Sequence, residues 1–278
     1  PIGPKRFTYG PVPFRAKSFD MVQVFSVAIK EIKPELGFHW PLQVYGLVAA
    51  RDNSDSRLRN IIFSRDRNHC QMLTAETHLH DSSLVLTGPS RAVVAHGPIT
   101  FEIEVKVKGN KESEDNLLSS LVIDYNSNIG WTTYGKLHRE IVSNKASTTE
   151  VLFAQLEDTV EATVDIKVID GSWSNFCPRL IARTKSFPDG DFVLFDPRGD
   201  MVESDEGMIQ LSRSVVTVES NGELELTAEA REHGSSIIVV SKTIMFTPKR
   251  IGTTDESLDL GFCKMDVCVS WSLIIPCN

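Results

Sequence analysis

The chain has 278 residues, 41% hydrophobic and 24% charged with 8% aromatics, a make-up that excludes disorder, collagen-like repeats and supercharged tails and calls for a buried core. Its length leaves room for one large domain or two of ordinary size. Lys and Arg number 29 against 37 Asp and Glu, and the charge of −8 offers nucleic acid no global attraction and opposes an anionic membrane surface.

Residues 1–18 carry four prolines and the basic Lys5, Arg6, Arg15 and Lys17 with no acid, which reads as an extended arm or linker. From Phe19 the texture changes to β-branched runs between turn residues. Strands are predicted at Met21 to Ile32, Leu42 to Ala50, Asn60 to Phe63, Leu84 to Thr87, Ile99 to Lys108, Leu121 to Tyr125 and Val151 to Leu156. Further runs follow at Val160 to Ile169, Arg179 to Ala182, Phe192 to Phe195, Val215 to Val218, Glu223 to Ala230, Ile237 to Phe246 and Met265 to Ile275. Phe101, Ile103, Val105 and Val107 alternate with Glu102, Glu104, Lys106 and Lys108; Val160 to Val168 and Leu224 to Ala230 alternate likewise. Such strands set one face on a core and one in water, the habit of antiparallel sheets. Only Cys70 to Leu79 and Glu112 to Ser119 suit a short helix. The expected fold is all-β, sandwich or barrel, with little helix.

Three segments recur in order. Ser90-Arg91-Ala92-Val93-Val94 resembles Ser212-Arg213-Ser214-Val215-Val216, and Ile61-Ile62-Phe63-Ser64-Arg65-Asp66 resembles Val193-Leu194-Phe195-Asp196-Pro197-Arg198. Lys145 to Glu150 leading to Val160–Val164 resembles Arg250 to Asp255 leading to Met265–Val269. The order suggests two similar antiparallel β-sandwich units in tandem, residues 19–158 and 159–278, with the boundary within 157–175.

Four separated motifs carry a family resemblance: Asp20-Met21-Val22-Gln23-Val24-Phe25-Ser26, Val44 to Asp52, Leu86-Thr87-Gly88-Pro89-Ser90-Arg91, and Val267-Cys268-Val269-Ser270-Trp271-Ser272. From about residue 19 to the C-terminus the chain resembles the domain of unknown function numbered 6598, a plant family expanded in grasses. That resemblance implies a link to plant defence, since some members are associated with ribosome-inactivating rRNA N-glycosidase domains. Those enzymes use a buried helical Glu-x-x-Arg pair. The nearest text here is Glu229 and Arg231, two apart on an alternating strand, which sets them on one solvent face.

The remaining chemistry is weighed residue by residue. Asp189, Asp191, Asp196 and Asp200 crowd one acidic stretch able to supply oxygen ligands for Ca²⁺, although Asp-Gly and Pro-Asp also simply make turns; the Arg198-Gly199-Asp200 triplet is read as such a turn. His78, His80 and Asp81 lack the accompanying Cys-x-x-Cys of a zinc site and read as loop polarity. Cys263 and Cys268 read as small buried hydrophobes. Arg51, Arg57, Arg59, Arg65 and Arg67 are interleaved with Asp52, Asp55 and Asp66, as in a salt-bridged surface. Trp40, Trp131 and Trp173 sit beside Gly, Pro or Ser in apparent loops, where they either pack over sheet ends or form a binding surface.

The chain therefore reads as a non-catalytic binding or interaction module of a plant protein whose partner is another protein. No cofactor is called for, no membrane partner is expected, and nucleic acid is disfavoured. An rRNA N-glycosidase or its partner domain is the first rival, with Glu229 and Arg231 as its catalytic candidates. A calcium-dependent binding β-sandwich is the second. Five scattered cysteines and no Asn-x-Ser/Thr sequon point to a reducing cytoplasmic setting. Because the sequence begins at Pro1, a trimmed or mature chain is expected, and secretion stays open.

Overall fold

A computed structural model describes residues 3–55, 57–75, 82–126, 135–172, 176–196, 204–205, 207–232 and 237–275. The described strands are β1 (Phe19–Ile32), β2 (Leu42–Arg51), β3 (Asn60–Arg65), β4 (Gln71–Leu73), β5 (Val93–Val94), β6 (Pro98–Val107), β7 (Asn116–Asn126), β8 (Leu137–Ser143) and β9 (Ser147–Gly171). They continue as β10 (Cys177–Thr184), β11 (Phe187–Phe195), β12 (Ser204–Asp205), β13 (Met208–Ile209), β14 (Val215–Glu219), β15 (Leu224–Arg231), β16 (Ile238–Phe246), β17 (Gly252–Asp259) and β18 (Cys263–Ser272). The fold is all-β. Among the described residues helix is confined to single 3₁₀ turns at Pro34–Leu36, Arg67–His69 and Glu112–Glu114, and no helix is long and apolar enough to cross a membrane.

Two corrections concern local signals. The stretch expected to be helical after Glu112 makes one 3₁₀ turn and then enters strand β7, while Gln71–Leu73 is strand. The run Leu84 to Thr87 forms no strand. Its Leu84 N–H donates to the Val27 carbonyl and its Thr87 N–H to the Ile62 carbonyl, so Leu84 and Leu86 reach the core from irregular backbone.

Two compact units divide the chain. One holds Val22–Gln155, the other the chain up to Met21 with Leu156–Ile275. The division falls within β1 and β9, and β9 absorbs the two predicted strands Val151 to Leu156 and Val160 to Ile169, with Asp158 in a left-handed conformation between them (φ 47°). In the unit Val22–Gln155, one antiparallel sheet runs β3-β2-β6-β7 with β4 on β2, and β1 pairs with β5 and with β9, which also pairs with β8. The inward residues of both sheets, among them Val24, Val44, Phe101 and Phe153, form one core.

In the other unit one sheet runs β11-β10-β15-β16, while β9 pairs with β14 and β18, and β18 with β17. Val164, Leu180, Leu226 and Trp271 share its core. Two of the three self-matches fall on strands that hold the same place in this order, β3 with β11 and β5 with β14. The third does not: Lys145–Glu150 enters β9 and Arg250–Asp255 enters β17, which stand at different places in their sheets.

Residues 3–18 lie on the unit containing Leu156–Ile275. The Lys5 N–H donates to Glu161 Oε1 at 3.1 Å, the Phe7 N–H to Ser272 Oγ at 3.0 Å, and the Thr8 hydroxyl to the Trp271 carbonyl at 2.9 Å. Glu161, a water-facing position expected on β9, is thus bonded by the arm, and both it and Thr163 are buried. The alternation is present, but a covered face replaces the solvent.

Candidate functional site

Between β1 and β2 the chain makes a compact loop. Pro34 opens the 3₁₀ turn, and Gly37 closes it in a left-handed conformation (φ 85°), its N–H donating to the Pro34 carbonyl at 2.9 Å. Glycine suits that position because a Cβ is disfavoured at positive φ. The loop is tied down where the Lys33 N–H donates to the Ala146 carbonyl at 3.0 Å. Phe38 then plugs the core, and Trp40 is half-buried against it.

The free side of Trp40 lines an open groove of about 500 Å³ with Glu31, Lys33, Glu35, His39 and neighbouring residues. Glu31 accepts a hydrogen bond from the Thr148 hydroxyl at 3.1 Å, which fixes one rim. An indole packed on the core and ringed by both signs of charge offers apolar contact at the centre and polar contact at the edge. Of the three tryptophans singled out from the sequence, the structure places Trp40 on this groove; Trp131 and Trp173 lie outside the described residues. The flanking groups escaped sequence reasoning because their convergence depends on the 3₁₀ turn. The one sequence signal was Pro34 with Gly37, a start and stop for a tight turn.

The catalytic candidates Glu229 and Arg231 and the metal candidates Asp191 and Asp196 meet at the sheet β11-β10-β15-β16. Glu229 and Arg231 do share a face, and Arg231 Nη2 donates to Glu229 Oε2 at 2.6 Å. That face is not open solvent, because Glu229 is buried. Arg179 stands opposite Glu229 in the register of β10 and β15, 3.8 Å from its carboxylate. Arg179 also lies 3.2 Å from Asp191 and 3.7 Å from Asp196, while Arg183 holds Asp191 at 2.5 and 2.8 Å.

The carboxylates thus face arginines rather than an oxygen cage. Asp189 is exposed in the β10–β11 hairpin, away from these arginine contacts, and Asp200, like Arg198 and Gly199, is outside the described residues. Among the described residues no group of three or more His, Cys, Asp or Glu is placed to hold a metal; His78, His80 and Asp81 also fall outside them. Glu229 and Arg231 lie on strand β15 and not on a helix. Arg179 and Arg183 are four apart, a spacing that sets them on one face of a strand.

The arginine-rich first part resolves in the same way, but with other partners than the interleaved acids. Arg51 and Arg59 both bind Glu102, whose carboxyl they hold below its ordinary range. Arg67 binds Asp115 through Nε and Nη2 at 2.8 and 3.1 Å, and the Tyr45 hydroxyl donates to Asp115 at 2.5 Å. Bonds from Arg67 and then Tyr45 hold Asp115 well below the usual carboxylate range, and the bond to Asp115 pushes the Tyr45 phenol up to about 12. Asp66 instead caps the 3₁₀ turn at Arg67–His69.

The arginines of the Ser-Arg self-match are both buried. Arg91 forms a two-pronged pair with Asp52 at 2.6 and 2.7 Å. Arg213 donates from Nε to the Val193 carbonyl at 2.7 Å and lies 3.6 Å over the Phe192 ring, with burial drawing its pKa down to about 9. Cys263 is buried as read, and Cys268 is half-buried; burial first, then Asp255, pushes the Cys268 thiol up to about 11, so it stays protonated and unreactive near neutrality. Among the described residues Cys70, Cys263 and Cys268 form no disulfide.

Fold and site together define an all-β protein with an aromatic groove and internally neutralised charge clusters. The profile described as Domain of unknown function (DUF6598) matches residues 21–269, and the chain belongs to that family. No curated protein matches the chain. Among solved structures it is similar to a human GIVD cytosolic phospholipase A2, at 11% identity and a TM-score of 0.28, over 93% of this chain and 31% of that one. It therefore spans about a third of the phospholipase. It is also similar to the calcium-bound tandem C2 domains of Extended-Synaptotagmin 2, at 10% identity and a TM-score of 0.29, over 94% and 99% of the two chains.

Proposed function

We propose that this DUF6598 chain is a non-catalytic binding module of two similar β-sandwich units, and that its Trp40 groove receives part of a partner protein. The observation that carries the reading is the half-buried indole of Trp40, held against the core on one side and open to a groove rimmed by Glu31, Lys33, Glu35 and His39 on the other. A rigid, pre-placed tryptophan loses little entropy on contact, which is why such residues dominate interface energetics. The N-glycosidase rival is weakened because Glu229 and Arg231 lie two apart on strand β15, where that chemistry needs a helical pair three apart.

The test is affinity capture from plant extract with the wild-type chain and with Trp40→Ala. A partner held by the wild type should weaken by about 2 kcal/mol or more, roughly thirtyfold, in the variant, with the thermal midpoint checked to confirm that the variant is folded. Capture of the same proteins at the same strength by both would overturn the assignment of the groove.

A further inference from the structure

The arm of residues 3–18 is braced at both ends. Beyond the Lys5, Phe7 and Thr8 contacts to β9 and β18, the Lys5 ammonium pairs with Asp165. At the other end Ala16 is buried, and the backbone of Lys17 bridges Ile274 through bonds of 3.3 and 3.4 Å. Between these anchors Val12 packs on the core, and Pro11 and Pro13 restrict the backbone. The loop is thus held, yet Tyr9 is 70% exposed and Phe14 wholly so. A braced loop that presents two aromatics to water is an informative exposure, unlike a scattered surface leucine.

The charges carried by the arm itself have one sign. No acid precedes Asp20 in the sequence, and Arg6, Arg15 and Lys17 are exposed. We infer that this loop docks on an anionic lipid surface, with Phe14 and Tyr9 entering the boundary between headgroups and acyl chains and Arg6, Arg15 and Lys17 meeting the lipid phosphates. A protruding aromatic pair needs no complementary pocket in a lipid surface, whereas a protein partner would have to supply one. The net charge of −8 does not oppose this contact strongly, because charges farther from the surface than a Debye length of about 8 Å are screened. The expected attachment is reversible and salt-sensitive, and it is independent of the Trp40 groove.

The test is co-sedimentation of the full chain with vesicles of phosphatidylcholine alone or with about 30 mol% phosphatidylserine. Binding is expected to the anionic vesicles only, and to fall as salt rises. Phe14→Ala should lower partition about tenfold, and Arg6→Ala with Arg15→Ala about thirtyfold at low salt, at roughly fivefold per basic group. Both variants alter exposed side chains, so their thermal midpoints should match the wild type. As a second readout, Phe14→Trp should still bind and be quenched by lipids brominated high on the acyl chain. Absence of binding to anionic vesicles, or binding that both alanine variants retain, overturns the proposal. Retention on polyglutamate without vesicle binding assigns the loop to an acidic protein and overturns it equally.

Discussion

Replacing Asp52 with alanine would leave the Arg91 guanidinium inside the protein without its carboxylate. Asp52 accepts hydrogen bonds from Arg91 Nη1 and Nη2 at 2.7 and 2.6 Å, from the Val94 N–H at 2.8 Å and from the Ser54 N–H at 3.1 Å. Its side chain is fully buried and that of Arg91 nearly so. After the substitution Arg91 keeps its bond to the Ala92 carbonyl at 2.8 Å. Removing one partner of a buried ion pair costs about 3–5 kcal/mol, and the Val94 N–H in β5 loses its acceptor at a further cost of about 1–3 kcal/mol. Against a domain stability of about 5–15 kcal/mol, the loss should bring the unit Val22–Gln155 close to unfolding. Urea unfolding should show a large fall in midpoint with little change in slope. Asp52→Ala combined with Arg91→Met should recover much of the loss, because no charge is then stranded. A loss below about 1 kcal/mol in the single variant would refute the reasoning.

Other outcomes follow from the same structure. The Asp115 carboxyl is held below its ordinary 3.8 by Arg67 and Tyr45, so its contribution is present above that value and is lost as pH falls below it. In acid urea titrations the stability gap between wild type and Asp115→Asn should therefore close below about pH 4; a gap independent of pH would contradict the assigned contacts. Tyr45 shifts the other way, its pKa raised from 10.0 to about 12, and wild type should lose stability relative to Tyr45→Phe as pH rises from 10. Gly46 in β2 has φ 139°, and a Cβ there would stand 2.1 Å from the Glu104 carbonyl oxygen. Gly46→Ala should therefore destabilise by more than about 1 kcal/mol in thermal unfolding. Incubation with ribosomes should release no adenine above background; release abolished by Glu229→Ala would make the chain an enzyme and overturn the binding-module reading.

The sequence by itself determined the all-β class, the family and most strand positions, because side-chain alternation is a local consequence of the strand's twofold period. Phe101, Ile103 and Val105 point inward in the structure as their spacing requires. Trp40 was likewise legible as a loop aromatic, but the groove beside it required the fold of the 33–41 loop. What only the tertiary structure decided was which residues meet. Arg67 finds Asp115 48 positions away and Arg91 finds Asp52 39 away, while Asp66, next to Arg67, caps a 3₁₀ turn instead. Period two placed Glu229 and Arg231 on one face, but it could not place Arg179 opposite Glu229, since cross-strand register depends on sheet order. Glu161, bonded by the arm, shows the same limit: a strand's pattern records that its two faces differ, not what lies against each.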